Sequence, residues 1–133
     1  MMILKKYVLD LSRETLFEAW VSPDMTIPPV TKIESNPVLR GVFKLWAESP
    51  EAVGIMTGIF EEVIWNEKLK YTWQWEGSEE ESLVSVEFEQ DGNQTTIHLE
   101  HSGFLSQESK DAHDVGWDSY VDGLVAKIKL DIK

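Results

Sequence analysis

Two histidines, His101 and His113, are the residues best suited to acid–base chemistry, because an unperturbed imidazole changes charge near neutrality. As a proton-transfer pair they would need a nucleophile or substrate within about 3 Å, and as metal ligands a third donor such as Asp114 or Glu108. They stand on separate elements with no tight spacing, which is a poor metal signature, so both read first as hydrogen-bonded structural histidines. The carboxylates offer no inward pair: Glu87, Glu89 and Glu100 alternate with apolar neighbours and point outward. Nothing resembles a nucleophile elbow, a phosphate-binding glycine loop, a dinucleotide fingerprint or a zinc helix. With no Cys there is neither a thiolate nor a disulfide framework. The expectation is no catalytic residue, no metal and no cofactor.

The other unusual inventory is aromatic. Six Trp in 133 residues is rich, and such rings need deep crevices or partners. Phe43, Trp73, Trp75, Phe88, Trp117 and Tyr120 should converge if each element presents its apolar face to one interior. Packed rings are the plain reading. The functional reading is that so many large rings cannot fill a cleft without gaps, leaving a cavity for an apolar ligand.

The elements that would position these residues follow from periodicity. Residues Ile3 to Leu11 read as a half-buried strand with Tyr7, Leu9 and Leu11 on one side. Ser12 is an N-cap, and Leu16, Phe17, Trp20 and Val21 form the apolar face of a short helix that Ser22-Pro23 stops. Four prolines, at 23, 28, 29 and 37, make the next stretch loop, with a short extended piece at Thr31 to Ser35. The period then becomes two. Phe43 and Leu45 share one parity; Leu69, Tyr71, Trp73 and Trp75 share another strand's; Val84, Val86 and Phe88 alternate with Ser85, Glu87 and Glu89; and Ile97, Leu99 and His101 face away from His98 and Glu100. Asp91-Gly92-Asn93 marks a hairpin turn, and Asn66-Glu67 and Gly77 to Ser82 close two more, the last reading as a solvated loop tip. Val53 to Ile64 is apolar on both parities, so its inner face stays open, while Gly54 and Gly58 suit a bend in the sheet. After Gly103 a helical stripe returns at His113, Trp117, Tyr120, Leu124 and Ile128, with Ser106 as N-cap. A helix of about 24 residues would run some 36 Å and must cross the whole sheet. The predicted architecture is one α+β domain: a curved antiparallel sheet of about six to seven strands wrapped round a long C-terminal helix, with one or two short helices after the first strand.

Charge narrows the partners. With 24 acidic and 12 basic residues the net charge is −12, which repels phosphate backbones and anionic headgroups, so neither nucleic acid nor membrane is expected. The N-terminus lacks the continuous apolar stretch of a signal peptide, no run of about 18 apolar residues occurs, and the absence of Cys suits a reducing compartment. A cytoplasmic location is the expectation.

At this point the sequence resembles the START-like (SRPBCC) superfamily, and within it the branch named after the activator of the 90-kDa heat-shock protein ATPase. The carriers are Leu16-Phe17-Glu18-Ala19-Trp20 with Ser22-Pro23-Asp24, then Gly58 before Glu61-Glu62-Val63, then Leu69 to Trp75. His101-Ser102-Gly103-Phe104 and His113-Asp114-Val115-Gly116-Trp117 with Leu124 complete them. Two positions depart from the family's pattern: Met25-Thr26-Ile27-Pro28-Pro29 stands where a second Trp is usual, and Arg40-Gly41 where paired glycines are common, both at the pocket mouth as the family builds it. The resemblance implies a helix-grip fold with an internal pocket that in other members holds lipids, sterols or polyketides. The candidate pocket set is Trp20, Met25, Phe43, Leu45, Tyr71, Trp73, Trp75, Val86, Phe88, Leu99, His101, His113, Trp117, Tyr120 and Leu124. The implied partner is a hydrophobic small molecule. The alternatives are a chaperone-associated protein-binding module, for which outward-facing Trp46 is the cue, and a cyclase- or hydrolase-like enzyme using the histidines. A homodimer partner is a further expectation.

Overall fold

A computed structural model describes residues 1–48 and 53–131. Its strands are β1 (Met2–Leu9), β2 (Val30–Ser35), β3 (Val42–Glu48), β4 (Val53–Ile64), β5 (Lys68–Trp75), β6 (Ser82–Asp91) and β7 (Gln94–Ser102). Helix α1 (Arg13–Val21) lies between β1 and β2, and α2 (Gln107–Asp131) follows β7. Strands β2 to β7 meander, and β1 returns to pair with β7, giving one antiparallel sheet in the order β1-β7-β6-β5-β4-β3-β2. This is the α+β helix-grip arrangement that the periodicity predicts, with α1 as the one short helix among the described residues.

Local chemistry sets the boundaries. The Ser12 hydroxyl accepts the Thr15 N–H at 3.2 Å and starts α1, while the Ser106 hydroxyl accepts the Ser109 N–H at 3.1 Å and starts α2. At the β6–β7 hairpin Gly92 adopts φ 61°, the left-handed conformation that a tight turn requires. The face of β4 that the sequence left open has a physical cause. Met56 and Phe60 are buried, but the register with β5 shifts between Phe60 and Glu62, so the next residue to reach the core is Val63. One extra residue reverses the parity, and apolar side chains therefore occur at both.

Gly58 sits where β4 passes close against the β5 backbone at Thr72. A Cβ there would stand 2.0 Å from the Thr72 carbonyl oxygen, while the Thr72 hydroxyl accepts the Ile59 N–H at 2.9 Å. The glycine is thus a contact requirement as well as a point of curvature.

Helix α2 lies against the sheet through Trp117, Val121, Leu124 and Ile128, all buried. Polar ties at both ends help to set its position. Lys5, on the inward face of β1, donates to Asp114 and Asp118, and the Tyr7 hydroxyl donates to Asp118 at 2.8 Å. Glu80 accepts the Leu105 N–H and the Ser109 hydroxyl, each at 2.6 Å. Burial works to raise the Glu80 carboxyl, but these two hydrogen bonds help to outweigh it and hold it below the usual carboxylate range. The β5–β6 loop is therefore not simply a solvated tip: one of its carboxylates fastens the start of α2, where the helix dipole favours negative charge. At the other end Lys127 donates to the Asp24 carbonyl at 2.7 Å, and Ile27 fits against Gly123, where a Cβ would lie 2.4 Å from its methyl group.

Gly58→Ala should destabilise the protein by about 3 kcal/mol, because the clash is with backbone that cannot swing aside. Urea denaturation read by far-UV circular dichroism measures this; an unchanged midpoint would show that β4 and β5 can separate freely.

Candidate functional site

Between the concave face of the sheet and α2 lies a cavity of about 450 Å³. Its floor is aromatic, with Phe43 and Leu45 from β3 and Tyr71, Trp73 and Trp75 from β5. Trp20 of α1 closes one end, and Met25, Ile27, Pro28, Pro29 and Val30 form a side wall. The helix contributes His113, Trp117 and Tyr120, together with Ala112, Gly116 and Ser119. The last three are exposed, as are Pro28 and Pro29, so the cavity opens between α2 and the proline-rich loop. Among the described residues no Asp, Glu, Lys or Arg lines it.

The indole N–H groups and imidazole nitrogens of this wall are all engaged in hydrogen bonds. Trp73 Nε1 and Trp75 Nε1 both donate to His113 Nε2, at 3.1 and 3.2 Å. An indole N–H can only donate, so Nε2 carries no proton, and Nδ1 carries it instead and donates to the Ser109 carbonyl at 2.8 Å. His101 has the opposite tautomer. Trp117 Nε1 donates to its Nδ1 at 3.0 Å, and its Nε2–H donates to Ser82 Oγ at 2.7 Å, which in turn donates to the Trp73 carbonyl at 3.2 Å. Neither ring keeps a free nitrogen for a substrate proton. Complete burial pushes the His101 imidazole down to about 3. The two rings also meet edge to face, with centroids 5.2 Å apart, and Trp73 and Trp117 pack beside them.

Of the residues the sequence nominates, Trp20, Met25, Phe43, Leu45, Tyr71, Trp73, Trp75, His113, Trp117 and Tyr120 come together around the cavity. Val86, Phe88, Leu99, His101 and Leu124 do not line it. Val86, Leu99 and Leu124 are buried in closed core, and Phe88 is covered by Phe17 and Trp20, at centroid distances of 5.3 and 5.9 Å. His101 lies one layer behind Trp117 and Trp73. Parity gives the inward direction of each of these side chains, but not the depth at which another ring covers it. Ile27, Pro28 and Pro29, which the resemblance puts at the mouth, are in the wall, and so are Val30, Ile33 and Ala47, which stand outside the candidate set because the flanks of a proline-rich stretch give no clear period. Ala112, Gly116 and Ser119 were detectable as a small-residue stripe beside the aromatic one. Arg40-Gly41, expected at the mouth, lies in the turn before β3 and is not part of the wall. Among the described residues no group of three or more His, Asp or Glu could hold a metal ion.

Residues 10–129 match the family described as "Activator of Hsp90 ATPase homolog 1-like protein". The chain belongs to this family. For this Hsp90 ATPase activator homologue-like member, a search of curated proteins finds no match. Among solved structures, MLL2253 from Mesorhizobium loti superposes with a TM-score of 0.81 at 18% identity, covering 100% of this chain and 98% of that one. CV1439 from Chromobacterium violaceum gives 0.80 at 16%, covering 95% and 96%. CalU16 from Micromonospora echinospora gives 0.78 at 20%, covering 98% and 78%. At these identities the likeness establishes the START-like fold alone.

The buried His101 makes stability depend on pH with a definite sign. Its folded value of about 3 lies below the unfolded value of about 6.5, so the unfolded state takes up the proton first and stability falls as pH drops through that interval, by up to about 1.4 kcal/mol per unit. A Gln at this position can still accept from Trp117 and donate to Ser82. His101→Gln should therefore keep its fold at pH 7 and lose about 2 kcal/mol less than the parent between pH 7 and pH 5. Parallel denaturation curves at the two pH values measure the difference, and identical losses would contradict it.

Proposed function

We propose that the protein binds an apolar small molecule in the cavity beneath α2. The observation that carries this reading is an aromatic-walled space of about 450 Å³, within the range of roughly 300–1,000 Å³ typical of small-molecule sites. Four of the six Trp, at 20, 73, 75 and 117, line it, which accounts for most of the tryptophan excess. Ala112, Gly116 and Ser119 withhold side-chain volume along its mouth, and a Cβ added at Gly116 would meet nothing within 4 Å. A catalytic role draws little support, since both imidazoles are committed to indole donors. The net charge of −12 and the absence of Cys fit a cytoplasmic protein whose ligand is neither nucleic acid nor an anionic membrane. No helix among the described residues is long and apolar enough to cross a membrane.

A chaperone-directed role draws on the family's description alone. Its cue in the sequence, Trp46, is half-buried, with the ammonium groups of Lys32 and Lys44 4.6 and 5.0 Å from its ring centroid. These cation–π contacts give the ring a local function. Capture of an Hsp90-type ATPase by the purified protein, lost in Trp46→Ala, would favour this reading instead.

Gly116→Leu sets a side chain across the mouth and removes a helix glycine that costs about 1 kcal/mol relative to Ala. The variant should be at least as stable as the parent and should retain less of any hydrophobic compound that copurifies. Native mass spectrometry before and after organic extraction reads the retained mass. Equal retention by parent and variant, or no extractable mass together with side chains filling the cleft in a crystal structure, would refute the reading.

A further inference from the structure

We infer that the ligand of this cavity is uncharged and presents a hydrogen-bond acceptor, a carbonyl, ether or hydroxyl oxygen, to the phenol groups of Tyr71 and Tyr120. The inference deepens the ligand-binding reading and rests on it.

Charge decides the first half. Among the described residues the wall contains no Asp, Glu, Lys or Arg, and its one imidazole, His113, has both nitrogens engaged. A carboxylate or ammonium group entering this space would give up its water without meeting an opposite charge, at a cost of several kcal/mol. The surrounding net charge of −12 opposes an anion further.

Hydrogen-bond accounting decides the second half. Trp20 Nε1 donates to the Tyr71 oxygen at 3.1 Å, so that oxygen accepts while its own proton has no acceptor among the described residues. The Tyr120 ring stands edge-on to Trp20 with centroids 5.1 Å apart. Its hydroxyl bonds no described residue and is not among the buried, unpartnered atoms, so it keeps accessible surface. Burial raises both phenols far above their ordinary value, which keeps both as O–H donors. The four indole N–H groups of the wall are satisfied by Tyr71, His113 and His101. What the Trp20 end of the cavity has left to offer is two O–H donors, both on rings in contact with Trp20, and the group that complements them is a neutral acceptor. An apolar body occupies the remaining aromatic floor.

Isothermal titration calorimetry at pH 7.5 with four ten-carbon probes tests this: 2-decanone, decanoate, decylamine as its cation, and butylbenzene. The expected order is 2-decanone tightest, with decanoate and the decylammonium ion weaker by about ten-fold or more. Tyr120→Phe removes a hydroxyl that bonds no described residue, so the fold is retained, as its thermal midpoint would verify. It should weaken 2-decanone by about five-fold and leave butylbenzene unchanged. A charged probe that binds as tightly as the ketone, or a ketone affinity untouched by Tyr120→Phe, overturns the inference while the ligand-binding reading stands. Failure of both 2-decanone and butylbenzene to bind overturns the two together.

Discussion

The structure depends on three indole N–H groups, those of Trp73, Trp75 and Trp117, which lie in an apolar wall and must find acceptors there. A buried donor left unpaired costs about 1–3 kcal/mol, a large fraction of the stability of a small domain. His113 and His101 are the acceptors, and each completes its own valence by donating outward, to Ser109 and Ser82 respectively. The consequence is geometric. Rings held by directional bonds cannot slide together to fill the space between them, so the cavity floor stands without a ligand to support it. Because His113 and Trp117 are four residues apart on α2 and bond to acceptors and donors on β5 and β7, the same bonds fix the rotation of the helix about its axis.

The ends of the helix are set by independent contacts. Lys5 and Tyr7 reach from β1 to Asp114 and Asp118, Glu80 reaches from the β5–β6 loop to the first turn, and Ile27 seats against Gly123 while Lys127 holds the Asp24 carbonyl. The last pair matters for the cavity, since it anchors the loop whose prolines form the side wall. The mouth thus lies between two elements that are each tied to α2, and its width follows from the small residues between them.

Much of this was legible in the residues. The alternation in β3, β5, β6 and β7 predicted which side chains face inward, and the three- and four-residue spacing on α2 predicted the face that meets them. Signals with no periodicity were not legible. The bulge near Glu61 scrambles the parity of β4, and a single-sequence pattern cannot distinguish that from a strand buried on both faces. The proline-rich loop gives its conformational restriction but not its position. Glu80 sits in a run of charge that looks solvated until the fold brings Ser109 beside it. Depth was the other missing coordinate. Phe88 and His101 point inward as predicted, yet Trp20, Phe17 and Trp117 stand between them and the open space.

The protonation pattern of His113 tests the account most directly, because everything about the unfilled cleft follows from a bare Nε2 facing two indoles. Long-range proton–nitrogen correlation NMR at pH 7, with the Trp73 and Trp75 indole resonances assigned, reports it. The account predicts a neutral ring protonated at Nδ1, with hydrogen-bond couplings from both indole N–H groups to Nε2. A proton on Nε2, as the other tautomer or as the imidazolium ion, would contradict it.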